Sequence, residues 1–153
     1  MTDAAELPGA AIAAMAHCPK ELHYLIEQQV WARVVDDGVA TVGITALGIA
    51  LAGDIYMCRP KRAGALVKQG DAIAVVELAK SIVSVRSPVT GEVIEVNPLL
   101  DEQPELVHRK PYDDGWLLRM RLTGWEHDQQ HLLHGEAVLP AMRHHAWLHR
   151  LEF

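Results

Sequence analysis

The sequence predicts a mainly β fold: a flattened barrel of short strands, with short helices between them and a helical extension on the C-terminal side. Three observations carry this reading. Between Val30 and Leu122 the apolar residues come in short runs, several alternating with polar residues in the period of two that a half-buried strand requires. Turn chemistry recurs between the runs, at Asp36-Asp37-Gly38, Gly70-Asp71, Ser87-Pro88-Val89-Thr90-Gly91 and Pro111 to Gly115. From Trp125 onward the alternation gives way to a helix-like pattern.

Taken in order, residues 1–19 read as a mobile lead-in. The first 17 are Ala-rich and hold Asp3 and Glu6 but no Lys or Arg, whereas a secretory signal needs a positive start, so the expected location is the cytoplasm. Val30 to Val35 and Val39 to Ile44 flank a hairpin turn that needs a positive φ at Gly38. Thr45 can cap a short helix over Ala46 to Ala52, which Gly53 ends. Asp54 to Cys58 is extended and Pro60 closes it. Ala72 to Leu78, Ile82 to Arg86 and Glu92 to Val96 are strands. Pro98 to Val107 suits a short helix or an acidic loop, and Trp116 to Leu122 is a further strand. Trp125 to His134 reads as a helix ended by Gly135, and Ala137 to Leu151 as a tail. The domain reading is one β domain over 20–123, with 124–153 as helix and tail.

The chain of 153 residues is long enough for one domain with a real core, and half of its residues are hydrophobic. A formal net charge of -6 argues against a nucleic-acid partner, which needs a basic footprint. No run approaches the ~20 apolar residues of a membrane span. Cys18 and Cys58 make neither a disulfide framework nor a zinc site. Cys58, in an apolar run, is expected to be a buried small hydrophobe, while Cys18 before Pro19 is expected to be accessible.

Two apolar strands surround the polar tripeptide Ala79-Lys80-Ser81. The turns at Gly70-Asp71 and Gly91-Glu92 each precede a strand, and Lys80 lies midway between them. A lysine at the apex of a stiff, β-branched hairpin can present a long amide-linked arm that sweeps between partner sites. The plainer reading is a solvated turn lysine.

The stretches Val39 to Thr45, Ala52 to Ile55, Gly70 to Glu77, Lys80, Ser87 to Asn97, Pro104 to Val107 and Pro111-Tyr112 with Gly115-Trp116 resemble the glycine cleavage system H protein family, in order and with family-like spacing. The resemblance implies a barrel-sandwich lipoyl fold with lipoate in amide linkage on Lys80, and a carrier rather than an enzyme. Glu77, three residues upstream, with Ala79 and Ser81 would form the recognition site for a lipoate-attaching enzyme. A biotin carrier has a similar fold but usually has Met on both sides of its lysine, where this chain has Ala79 and Ser81.

The family implies an aminomethyl load derived from glycine, with glycine decarboxylase, aminomethyltransferase and dihydrolipoyl dehydrogenase as partners. This chain departs from the family where His-Glu-Trp becomes Gln29-Val30-Trp31, since Val30 cannot pair with a cationic load. The family's Asp-x-Tyr after the lysine is replaced by Val85-Arg86. A divergent branch of H-like lipoate-binding proteins resembles this chain in lacking that carboxylate. That branch implies a sulfur intermediate held on dihydrolipoate for a heterodisulfide-reductase-like complex in sulfur oxidation.

The other constellations are weaker. His127, His131 and His134 fall at i, i+4 and i+7, which on a helix could hold a metal or form a polar face; His144, His145 and His149 are similar. Asp101, Glu102 and Glu105 form a solvated face or a docking patch. A catalyst in its own right would need a nucleophile with a paired base or two opposed carboxylates, and no such motif is present. An unlipoylated scaffold of the same fold is the remaining alternative.

Overall fold

The computed structural model describes residues 9–16, 18–36 and 38–149. Among the described residues ten strands form two antiparallel sheets. The larger has the order β10-β1-β2-β3-β9-β8-β5, and the smaller the order β4-β6-β7. The strands are β1 (His23–Leu25), β2 (Val30–Asp36), β3 (Val39–Ile44), β4 (Met57–Pro60), β5 (Leu66–Val67), β6 (Ala72–Glu77), β7 (Ile82–Arg86), β8 (Gly91–Val96), β9 (Leu118–Leu122) and β10 (Leu133–His134). The helices are α1 (Gly9–Ala16), α2 (Ala46–Ala52), α3 (Leu106–Arg109), α4 (Trp125–Asp128) and α5 (Val138–Leu148). The mainly β fold with short helices and a C-terminal helix is the architecture expected.

Alternation explains the layers. Along β3 the inward Ala40, Val42 and Ile44 are buried, and along β6 and β7 so are Ala74, Val76 and Val85. These side chains meet in one core that spans both sheets and takes in Val30, Cys58, Ile73 and Val93. α2 begins and ends as the sequence predicts. Thr45 caps it by accepting the Gly48 N–H at 2.9 Å, and Gly53, at φ 97°, closes it with an N–H donated to the Ile49 carbonyl at 2.8 Å. Gly38 has the expected positive φ of 77°, although Asp37 of the same turn lies outside the described residues.

Several expectations change. Asp3 and Glu6 of the lead-in lie outside the described residues, but residues 9–16 form α1. Ala11, Ala14 and Met15, spaced i, i+3, i+4, are buried in a second core with Tyr24, Trp31 and Leu47. The strand expected from Asp54 begins only at Met57 and includes Pro60. Residues 125–134 are not one helix: α4 is a single turn, a 3-10 turn covers Gln129–His131, and Leu133–His134 turn into a strand that pairs with β1. The backbone of His23 and Tyr24 offers unpaired groups that outweigh local helix propensity at this point. The segment is also tied to the barrel by Asp128, which is buried; its carboxylate accepts the Thr90 N–H at 2.6 Å and its carbonyl accepts from Gln69 Nε2 at 3.0 Å. The remaining tail forms α5, whose Val138, Met142 and Ala146 recur every four residues on one buried face; Arg150 and Leu151 lie outside the described residues.

Across the β1–β10 pair His23 and His134 stack at 4.2 Å between centroids, and Trp125 meets His23 edge-on at 4.8 Å. Nδ1 of His23 is buried without a hydrogen-bond partner. Burial first, and then the neighbouring His134, hold the His23 pKa below its ordinary 6.5. Protons therefore bind the unfolded chain more readily than the folded one. The stability contributed here is intact above about pH 6.5 and declines as pH falls from that value toward the folded-state pKa. Thermal melts are expected to show Tm falling as pH is lowered below about 6.5. His23→Phe, which keeps a stacking ring but cannot titrate, should flatten that part of the profile.

Candidate functional site

The site is built on the β6–β7 hairpin. Its ladder runs from Ala72↔Arg86 to Glu77↔Ile82, and the turn is closed by the Leu78 N–H donating to the Ser81 carbonyl at 2.9 Å. On the other side β4 pairs with β6 up to Met57↔Glu77, and the Tyr56 N–H adds a bond to the Glu77 carbonyl at 2.9 Å. Val76 at the turn end of β6 and Val85 further along β7 are buried in the core, whereas Ile82, Val83 and Ser84 next to the turn are exposed, so there the backbone ladder holds β7 in place. Glu77 ends β6 half-buried, whereas Ala79, Lys80 and Ser81 are all exposed in the turn. The four residues singled out in the sequence thus occupy one hairpin end.

Lys80 differs from the other lysines in its setting. Lys20 faces Glu136 at 3.9 Å and Lys110 faces Asp114 at 3.7 Å. Lys61 follows β4 in a loop, and Lys68 lies in the turn before β6, where its backbone N–H is held by the Asp71 carboxylate at 3.0 Å. Among the described residues the Lys80 ammonium has neither an ion pair nor a hydrogen bond, and it alone of these lysines sits between two mutually paired strands.

Beside the hairpin a cleft of about 390 Å³ opens between β7, α2 and the β1–β2 connection, with Ile44, Ile49, Ile55, Val76 and Val83 among its lining. Its one buried polar side chain is Gln29, held at a φ of 54°. Gln29 Nε2 donates to the Ile26 carbonyl at 2.8 Å, and its Oε1 accepts from the buried Thr45 hydroxyl at 2.5 Å. The Thr45 N–H donates back to the Gln29 carbonyl at 3.0 Å. The amide is therefore neutral and internally satisfied. Val30, next to it, is wholly buried in the core, and Glu27, exposed at the mouth, is the one acidic side chain in the lining. A hollow of about 450 Å³ shares Glu27 and Gln28 with this cleft but is lined elsewhere by Leu25, Gln69, His131 and Leu133, away from the hairpin. The sequence reading found α2 but not its role as a cleft wall. The i, i+1, i+4 spacing of Gly48, Ile49 and Ala52 was the available signal, whereas nothing local marks Gln29 for a left-handed backbone.

The remaining candidates lie outside the hairpin turn. Cys58 is buried and its thiol is pushed up to about 12 by desolvation, as suits a small hydrophobe. Cys18 is half-buried rather than open, with its Sγ 3.9 Å from the Tyr112 hydroxyl; burial raises its pKa, opposing thiolate chemistry. His127 and His131 lie near each other, with ring centroids 5.2 Å apart, but His134 sits on β10 against His23. Among the described residues no group of three potential ligands converges on a metal position. Asp101 and Glu102 are exposed and Glu105 half-buried, in the loop before α3. Among the described residues no helix is long and apolar enough to cross a membrane.

Residues 22–145 match the sequence profile of the family described as Glycine cleavage H-protein. The chain is 39% identical over 125 residues to glycine cleavage system H protein 2 of Aquifex aeolicus, covering 82% of this chain and 78% of that protein. It is 44% identical over 109 residues to the H protein of Marinobacter nauticus, covering 71% and 83%. Its fold is similar to the crystal structure of a glycine cleavage system H protein from Mycobacterium marinum, with a TM-score of 0.64 and 27% identity over 69% of this chain and 87% of that one.

The Gln29–Thr45 pair makes a direct test of the cleft wall. Thr45→Val keeps the volume but removes the helix cap, worth about 1 kcal/mol, and orphans the buried Gln29 oxygen at about 1–3 kcal/mol. Urea unfolding is expected to show a loss of about 2–4 kcal/mol.

Proposed function

The chain belongs to the glycine cleavage H-protein family, whose members carry lipoate covalently on a lysine, and we propose that Lys80 is that lysine here. The observation that carries this reading is the unpaired, exposed ammonium in a hairpin turn whose two strands are anchored in the core. An acyl chain suits the surroundings, because the neighbouring cleft is walled by Ile49, Val76 and Val83. When bound, lipoate supplies a dithiolane whose two sulfurs take up and release a transferred group.

The protein contributes placement. The ladder on both sides of β6 holds the attachment point, and the exposed Ala79 and Ser81 leave room for an enzyme to reach the amine. Glu77, three residues before Lys80 at the strand end, serves as the recognition carboxylate for a lipoate-attaching enzyme. Proteins of this family are carriers that work with glycine decarboxylase, aminomethyltransferase and dihydrolipoyl dehydrogenase. The first reading for this chain is accordingly the transfer of an aminomethyl group derived from glycine among those enzymes.

One observation favours a second reading. The cleft beside the hairpin has a neutral, satisfied amide as its one buried polar side chain, and no buried carboxylate to balance an ammonium. A neutral or sulfur-borne load suits that lining better. This supports the alternative of an H-like lipoate-binding protein serving a heterodisulfide-reductase-like complex.

Intact mass and peptide mapping of protein purified from its native host tests the attachment. A lipoyl-sized increase is expected on the peptide containing Lys80 and absent from Lys80→Ala. An unmodified Lys80 in a lipoate-replete host would remove the carrier reading. Given lipoylated protein, glycine–bicarbonate exchange with a purified glycine decarboxylase separates the loads: robust exchange supports the aminomethyl reading, and its absence supports the sulfur one.

A further inference from the structure

The charge on this chain is unevenly placed. Residues 59–86 hold six of the fourteen basic side chains and only two of the twenty acidic ones, in a protein of net charge -6. Register places two of these, Arg59 and Arg86, on the outer face of the β4-β6-β7 sheet. Met57, Glu77 and Ile82 form one row across it, and Arg59, Val75 and Ser84 the next, with Arg86 further along β7. Met57, Arg59, Val75, Ile82 and Arg86 are all exposed, and Ile82 is 69% accessible. Lys61 and Arg62, also exposed, continue beyond β4. The ion pairs among the described residues engage Lys20, Lys110, Arg119 and Arg121, so none neutralises this face. Glu77 is the sole acid on these rows.

We propose that this sheet face is the docking surface for the lipoate-attaching enzyme, and that the enzyme meets it with an acidic surface around an apolar centre. The inference rests on the carrier reading of Lys80. It follows from reach: an enzyme that uses the finished arm can act at a distance, but the one that builds it must bring its active site to the lysine ammonium. That enzyme has to cover the hairpin end and the exposed strands running into it. A face of free guanidinium groups around Met57, Val75 and Ile82 then selects acidic partners by steering and rejects basic ones by repulsion. Eighteen of the twenty acidic residues lie outside residues 59–86, so the basic segment stands out in an otherwise acidic chain and can orient the encounter.

The test is in vitro lipoylation of the unmodified chain by the lipoate-attaching enzyme of the same host, supplied with lipoate and ATP and read by mass. Arg59→Glu and Arg86→Glu are each expected to lower kcat/KM about tenfold, through KM with kcat kept. Arg59→Lys should stay near the parent, and Arg143→Glu on α5 should change nothing. The parent's advantage should shrink as ionic strength rises from about 0.02 M to about 0.3 M. Circular dichroism and Tm of each variant confirm that folding is retained. Reversed variants modified as fast as the parent, or faster, would overturn the docking face, as would binding of phosphatidylglycerol vesicles through the same arginines. A parent chain that the enzyme never modifies at Lys80 would instead overturn the carrier reading, and the inference with it.

Discussion

A single buried amide fixes the geometry on which the site depends. Gln29 takes a left-handed backbone between β1 and β2 and spends its side chain on two internal bonds, one to the Ile26 carbonyl and one from the Thr45 hydroxyl. Thr45 in turn caps α2 and returns a backbone bond to Gln29. The helix that walls the cleft is thereby locked to the strand that enters the core, with every polar group in the junction satisfied. The arrangement is economical in polar atoms, and it leaves the cleft without a buried charge.

The hairpin follows a complementary logic. Its inner residues are committed to the core and its outer ones to solvent, so rigidity and accessibility sit on opposite faces of the same two strands. The backbone ladder runs as far as Glu77↔Ile82, so the turn residues and whatever they bear form the free end of the hairpin. The charge distribution adds a direction to this: the small sheet is basic, whereas most acids lie elsewhere in the sequence. A carrier must be recognised by several enzymes through little surface, and a polarised molecule presents the correct side before contact is made.

Much of this was legible in the residues. The strands β7 and β8 announced themselves by alternation, β6 as an apolar run, β3 by its hairpin turn, and α2 by Thr45 and Gly53 at its ends, because those signals are local and each has one cheap structural solution. Lys80 stood out for the same reason, as a polar break between two apolar runs. What escaped was set by partners distant in sequence. β10 is too short to show a period and exists because β1 needs an edge partner. α1 read as a mobile lead-in, since its small side chains acquire meaning only against α2 and α5. The histidines at 127, 131 and 134 shared a helical spacing that the backbone does not adopt there. Gln29 could be noticed as a substitution in a motif, but its hydrogen-bonded role required knowing that Thr45 lies beside it.

The pairing of β1 with β10 joins His23 to His134 across most of the chain, whereas Glu77 meets Ile82 within a few residues. During synthesis the ribosome delivers these in a fixed sequence. The lysine hairpin and β4 are complete well before the strand that closes the large sheet has been made. Local pairings form in about 1–10 μs, far faster than translation at about 5–20 residues per second. The hairpin can thus be shaped while β1 still waits with an open edge, and for that interval the nascent chain depends on its surroundings to keep that edge from pairing elsewhere.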